Sequence, residues 1–468
     1  MLRGGLVLLA AAYLVQCYSP LRLNLDVIHF VTVAASAADG EGFLFKDTPT
    51  YYPIGYAALL SGLERIGLGI SWAFVALNCL FIAVGVGASY ALYRMHFGYA
   101  RNAALGLCCL VLLSYVLVKH VTLPMSDVPF LGASLAAVAV IAWAEQYQDR
   151  RRWTLLALGA VLAGGAILIR TAGITLLPAL AWACFTNGSP LQNGFRRLIR
   201  HRRGRLLTAG AALAAVAALF VVLRRFQEKY VREVFGFYDG LSWQEGLETI
   251  VERLVTWGEL FANVPESKLP AFLGALLPFV GFAGLLVLGA GIWARRRRLR
   301  SVEIYFLAYA ALMLIWPAFT ARFWLAVIPL AMGWVGLAFQ RFAGARGAAA
   351  RFAAPVLALY LAAFMLLGAA ALAFSTRITF SGSDFPQVYA GGSMERVYQL
   401  AFEGATEAEI REAGLNMIDR IAFRALGRYE PRAHAFGGEP MPLYEIEKQW
   451  RASQPVPGQD ALRERAQK

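Results

Sequence analysis

Residues 149–185 read DRRRWTLLALGAVLAGGAILIRTAGITLLPALAWACF, a basic cluster followed by an apolar run that a single charge, Arg170, interrupts. From Thr154 to Phe185 this run would extend about 48 Å as one helix, too long for a bilayer core of about 30 Å. Its flanks decide between one span and two. Arg150-Arg151-Arg152 precedes it, and Phe195-Arg196-Arg197-Leu198-Ile199-Arg200-His201-Arg202-Arg203-Gly204-Arg205 follows. Both clusters belong on the cytoplasmic side. The run therefore crosses and returns, turning near Arg170-Thr171-Ala172-Gly173.

The rest of the chain extends that reading. Hydrophobic residues make up 59% and charged residues 16%, with mean hydropathy +0.54, which excludes an ordinary soluble domain and predicts a polytopic all-α membrane protein. The formal charge of +14 comes from 44 basic against 30 acidic residues. Because the arginines cluster between apolar runs, the excess marks cytoplasmic loops and argues against a nucleic-acid partner. Apolar spans are expected at 4–18, 70–93, 103–118, 128–144, 154–169, 172–185, 206–223, 271–293, 302–316, 324–340 and 352–374. With the N-terminus inside, about eleven spans put Arg3, Arg94, Arg101, Arg295–Arg298, Arg300, Arg341, Arg346 and Arg351 on one side.

Met1-Leu2-Arg3 and the apolar run after it look like a signal peptide, but Leu14-Val15-Gln16-Cys17 offers no small-x-small cleavage site, so the segment is read as an uncleaved span. The five cysteines (Cys17, Cys79, Cys108, Cys109, Cys184) form no CxxC pair or Cys/His cluster and are assigned to packing. The sequon Asn187-Gly188-Ser189 falls on the cytoplasmic side.

The opposite side then collects Asn24 to Tyr56, Lys119-His120 to Ser126-Asp127, Arg170, the loop from Arg224 to Pro270, Arg322 and a tail, 375–468. Two of its segments read as amphipathic helices. Asp26 to Ala38 would carry Asp26, His29 and Phe30 on one face and end in a turn at Asp39–Gly42. Ser242-x-x-Glu245 reads as a capping box opening a helix along the membrane surface, with Leu247, Ile250, Val251, Leu254, Val255 and Trp257 at helical spacing. In the tail, Thr406-x-x-Glu409 suggests a helix running to about Arg428. The organisation expected is a membrane domain over 1–374 and a small, mostly helical extracytoplasmic tail domain over 375–468.

A carboxylate this close to lipid is costly without a task or a partner, which makes Asp26 the leading site candidate. Plainer roles compete at each position. Asp26 and Asp127 can cap helices, Arg170 and Arg322 can snorkel, His29 and His120 can pack at the interface, and Tyr51, Tyr52 and Tyr56 can form an aromatic belt.

Leu25-Asp26-Val27-Ile28-His29-Phe30, Gly40-x-Gly42, Tyr52-Pro53-Ile54-Gly55-Tyr56, Ser126-Asp127-x-Pro129 and Arg322-Phe323-x-x-x-x-Ile328-Pro329 resemble, in this order, landmarks of the GT-C membrane glycosyltransferases. The resemblance covers about 1–340 and points to the group containing protein O-mannosyltransferases and the lipid A aminoarabinose transferase. It implies a sugar donor carried on polyprenyl phosphate, an inverting transfer to a lipid, glycan or protein acceptor, and a site facing the periplasm from a bacterial inner membrane. Asp26 matches the acidic residue of the family's first outer loop, a general base for the acceptor hydroxyl. Val27 stands where protein O-mannosyltransferases carry a second acidic residue.

Arg170 and Arg322, with Lys119 as a third candidate, are suited to receive the departing lipid phosphate, and His29 and Tyr56 are further substrate-binding candidates. Asp127 would orient the acceptor or hold a divalent metal, and no other cofactor is indicated. The competing reading is a transporter or flippase of lipid-linked sugars, which calls for charges deep within spans instead of at hairpin tips.

Overall fold

A computed structural model describes residues 2–46, 48–185, 232–344, 348–390, 392–405, 409, 413–433 and 443–446. The protein is an all-α polytopic membrane protein. Six helices among the described residues are long and apolar enough to cross a bilayer: Ser71–Met95, Asp127–Ala144, Arg150–Ile169, Ala271–Trp293, Ala321–Phe342 and Ala354–Thr379. Shorter apolar helices lie at Leu2–Tyr18, Leu25–Ala38, Arg101–Leu112, Thr171–Phe185 and Ser301–Ile315. Every expected span falls on one of these except 206–223, which lies outside the described residues, as do the 195–205 cluster and the sequon.

We label the helices α1 (Leu2–Val15), α2 (Leu25–Ala38), α3 (Gly55–Arg65), α4 (Ser71–Met95), α5 (Arg101–Leu112), α6 (Tyr115–His120), α7 (Asp127–Ala144), α8 (Arg150–Ile169) and α9 (Leu176–Phe185). After the undescribed stretch come α10 (Trp243–Ala262), α11 (Leu277–Trp293), α12 (Ser301–Ile315), α13 (Ile328–Gly344) and α14 (Ala348–Thr379). The tail contributes α15 (Phe385–Tyr389), α16 (Ser393–Glu403) and α17 (Met417–Tyr429).

The apolar residues of α7 point in every direction, and Val128, Phe130, Leu131, Leu135, Val138 and Ile141 are all buried, as befits the central helix of a bundle. At its C-terminal end the basic loops meet. His96 Nε2 lies 2.8 Å from Glu303 Oε1, Arg295 Nε donates to the same oxygen at 2.7 Å, and Glu145 accepts from the Ser301 amide at 3.0 Å. Arg341 reaches the Ala294 carbonyl at 2.9 Å. The shared parity of these loops is thus a physical assembly. At the N-terminal end of α7, Asp127 faces the α8–α9 turn, which forms at Arg170 as expected.

Three expectations change. The stretch 103–118 is two helices, because Asn263 inserts into the break. Its Oδ1 accepts from the Tyr115 amide at 2.8 Å, and its Nδ2 donates to the Leu113 and Phe364 carbonyls at 2.9 Å. A polar side chain entering the helical ladder is a recognised cause of a break. The segment 26–38 is not a surface helix with one wet face. Val27 through Ala37 are all buried, since α3, the 44–49 hairpin and α17 cover it. The tail helix expected from Thr406, whose start lies outside the described residues, begins anew at Met417, where Asn416 caps it after Gly414 with φ +62°.

The capping box at Ser242 and Glu245 forms as expected, and Asn263 in the left-handed conformation ends α10. Its first half leaves Trp243, Leu247 and Ile250 exposed. Its second half crosses α11, where Gly281 and Gly258 let the backbones touch. A Cβ on Gly281 would overlap the Leu254 carbonyl. Gly281→Val is therefore expected to destabilise the protein by about 1–3 kcal/mol and to lower its melting temperature in detergent by several degrees. Gly289→Ala, which meets open space, should leave that temperature unchanged. Equal melting of the two variants would contradict this packing.

Candidate active site

Asp26 stands in the first turn of α2, whose start is fixed by Asn24 Oδ1 accepting from the Val27 amide at 2.9 Å. Its two carboxylate oxygens face different neighbours. Oδ2 pairs with Arg322 Nη1 at 2.5 Å, and Oδ1 lies 3.4 Å from the Tyr52 hydroxyl. Asp127, in the first turn of α7, pairs with Arg170. Ser126, not Asp127, occupies the α7 N-cap position.

The two pairs form one cluster. The guanidinium carbons of Arg170 and Arg322 lie 5.0 and 4.9 Å from the ring centroid of Phe323, within reach of its quadrupole. Arg322 and Phe323 belong to a 3-10 turn, Ala321–Val327, whose Phe323 carbonyl accepts from the buried Tyr309 hydroxyl. Arg322 also acts electrostatically on Asp127 and on His120. Four helix ends thus supply two carboxylates and two guanidiniums around one aromatic ring.

Exposure separates the pairs. The Arg170 and Asp127 side chains are 16% and 4% exposed, whereas those of Arg322 and Asp26 are 23% and 27% exposed. Arg322 Nε, buried, has no hydrogen-bond partner among the described residues. Removing one member of a buried pair costs about 3–5 kcal/mol, and the cost falls as a pair becomes more exposed. Asp127–Arg170 is therefore the fixed pair and Asp26–Arg322 the exchangeable one.

The other candidates take different places. His29 is buried, with Nε2 2.8 Å from Thr50 Oγ1 and its ring centroid 4.2 Å from Phe45 and 4.4 Å from Tyr52. It fastens the 44–52 loop over α2. Tyr56 is fully buried instead of lying in an interfacial belt, packs edge-on against Phe30 at 5.4 Å, and leaves its hydroxyl without a partner among the described residues. Burial foremost, and then the Asp127 charge, raise its phenol well above the usual range. It reaches this position because Gly55 abuts the Leu168 carbonyl, where a Cβ would clash. Lys119 is exposed and makes no ion pair with the described residues.

His120, beside Lys119, is buried. Its Nδ1 lies 2.7 Å from the Val116 carbonyl, which can only accept, so Nδ1 carries the hydrogen. Burial pushes its pKa down to about 4, so it is neutral near pH 7. Tyr309 carried no sequence signal, being one tyrosine inside an apolar span. Tyr52 was visible only as part of the Tyr52–Tyr56 motif. Among the described residues, no three His, Cys, Asp or Glu side chains converge to hold a metal ion.

Beside the cluster, a largely apolar cavity of about 890 Å³ runs between α1, α5, α13 and α14. Leu8, Leu107, Val335 and Leu361 line it, together with Trp257 and Trp324, whose ring centroids lie 4.4 Å apart.

No family model and no curated protein sequence matches the chain. Solved structures do. The Archaeoglobus fulgidus oligosaccharyltransferase AglB, in complex with an inhibitory peptide and a dolichol-phosphate, superposes with TM-score 0.51 at 13% identity, over 93% of this chain and 61% of its own. A complex of the A. fulgidus oligosaccharyltransferase with Zn and sulfate gives TM-score 0.50 at 15% identity, over 93% and 58%. ArnT from Cupriavidus metallidurans bound to undecaprenyl phosphate gives 0.49 at 14% identity, over 95% and 87%. The chain spans about three-fifths of the length of the archaeal enzymes. Over the described residues the chain shares the fold of these oligosaccharyltransferase structures, the GT-C fold.

Proposed function

We propose that the protein is a glycosyltransferase that takes a sugar from a polyprenyl-phosphate carrier and joins it, with inversion, to an acceptor hydroxyl. The observation that carries the reading is the pairing of a partly exposed carboxylate, Asp26, with a guanidinium, Arg322, that shares the Phe323 ring with Arg170. One site thus combines a base with two groups suited to receive a phosphate. The largely apolar cavity, which Trp324 lines next to Phe323 in the chain, has the character to take a polyprenyl chain. The fold similarity to an oligosaccharyltransferase solved with dolichol-phosphate supports this class of donor.

The steps follow from the charges. The donor phosphate competes with Asp26 for Arg322, the more exposed of the two pairs and so the easier to exchange. Asp26, released, accepts the proton of the acceptor hydroxyl. The acceptor oxygen bonds to the anomeric carbon as the bond from that carbon to the phosphate oxygen breaks. Polyprenyl phosphate leaves, its new charge held by Arg322 and Arg170. The basic loops lie at the other end of the bundle, which by the positive-inside rule supports a site on the non-cytoplasmic face. All four charges stand at helix ends and not mid-span, which favours transfer over transport.

Asp26→Asn should lower kcat for transfer about 10²–10⁴-fold without changing expression or melting temperature. Full activity in this variant, assayed with polyprenyl-phosphate sugars and envelope acceptors, would remove Asp26 as the base. The two arginines should separate. Arg322→Ala should weaken donor binding about tenfold or more while the protein stays folded. Arg170→Ala, which strands the buried Asp127, should cost about 3–5 kcal/mol and be seen first as a drop in melting temperature. Equal melting of the two would contradict the assignment of a fixed and an exchangeable pair.

A further inference from the structure

The chain enters α2 through Ser19–Asn24, a stretch with no helix or sheet of its own to satisfy its peptide groups. The tail satisfies them. The Leu21 amide donates to Glu430 Oε2 at 2.7 Å, and the Tyr398 hydroxyl donates to the Leu21 carbonyl at 2.7 Å. The same hydroxyl accepts from the Leu23 amide at 2.9 Å, and the Tyr389 hydroxyl donates to the Leu23 carbonyl at 3.1 Å. Between them Arg22 is buried over the Tyr389 ring and bonded to the Ser375 carbonyl at 3.2 Å and Thr379 Oγ1 at 3.1 Å.

The other end of α2 is held by the same tail. Arg428 donates to both oxygens of Asp39, at 2.6 and 3.1 Å, and to Glu64. The Tyr429 hydroxyl lies 3.2 Å from the Val31 carbonyl and 2.9 Å from Glu64 Oε2. These partners are rigid. Tyr398 is fully buried, with ring centroids 5.2 Å from Phe385 and 6.1 Å from Phe402.

We infer that α15–α17 form a brace that sets the position of Asp26, with Tyr398 and Glu430 as its positioning residues. The inference rests on the reading of Asp26 as the base. Asp26 lies three residues beyond Leu23, so movement of this entry strand carries the carboxylate with it. A displacement of about 1 Å at a reacting group can lower the rate about 10²-fold. The Tyr398 hydroxyl donates to one peptide group and accepts from another, and phenylalanine can do neither. The tail therefore acts on catalysis without touching substrate.

The experiment combines transfer kinetics with hydrogen exchange of the peptide covering 19–30 in the full-length protein. Tyr398→Phe keeps the packed ring and should still fold. It is expected to speed exchange in that peptide and to lower kcat about 10- to 100-fold, with donor KM changed less than threefold. Glu430→Ala should behave likewise, whereas Glu430→Gln, which keeps an acceptor for the Leu21 amide, should recover most of the rate. Unchanged exchange in Tyr398→Phe and Glu430→Ala would overturn the brace whatever the kinetics. Faster exchange with wild-type kcat would overturn its role in positioning. Asp26→Asn separates the two readings: full transfer in that variant, together with faster exchange in Tyr398→Phe, would sink the base assignment alone.

Discussion

A carboxylate 4% exposed at the head of an apolar helix is tolerable only beside a cation, and Asp127 has Arg170. The rest of the site depends on that pair. To make it, the α8–α9 run must break at Arg170, where the backbone becomes extended (φ −153°, ψ 133°), and the turn must lie against the start of α7. Arg170 then presents its guanidinium to Phe323, which brings the Ala321–Val327 turn and Arg322 into place. Arg322 in turn meets Asp26. Each charge is acceptable at this depth because the next one answers it, so the four helix ends converge or none is stable there.

Much of this was legible in the sequence because bilayer thickness and loop charge are one-dimensional constraints. The parity of the arginine clusters was enough to group Asp26, Asp127, Arg170 and Arg322, and the turn at Arg170 forms where the length of the run required it. Which acid meets which arginine was not legible, since spacing along the chain says nothing of pairing between helices. Asn263 shows the same limit. It breaks the helical stretch after Leu112 through two hydrogen bonds to groups 148 and 150 residues distant, and no local signal at Leu113-Ser114 announces it. The tail was least legible, because the peptide groups it satisfies lie about 370 to 410 residues away.

His29 and Tyr56 illustrate how an interface can mislead. Aromatic residues near a span end read as a belt, yet here the 44–52 loop folds back so that Phe45, Tyr51 and Tyr52 gather around the His29 ring. Tyr56 is drawn inside by the close approach of Gly55 to α8. The result is a wall behind Asp26, and the Tyr52 hydroxyl is the group in that wall nearest to the carboxylate.

The charges of the site also suit the chemistry proposed for it. Two guanidiniums no more than about 10 Å apart through the Phe323 ring repel by at least about 1.7 kcal/mol at an effective dielectric constant near 20, so without donor they need both carboxylates. A glycosyl phosphodiester adds one negative charge. During transfer the phosphate gains a second, as polyprenyl phosphate is released, and Asp26 loses its own by taking the acceptor proton. The net charge of the cluster is therefore the same before and after the chemical step. Arg322, already on the phosphate once the donor is bound, stays with it as its charge grows, while the Asp127–Arg170 pair, being buried, keeps the frame still.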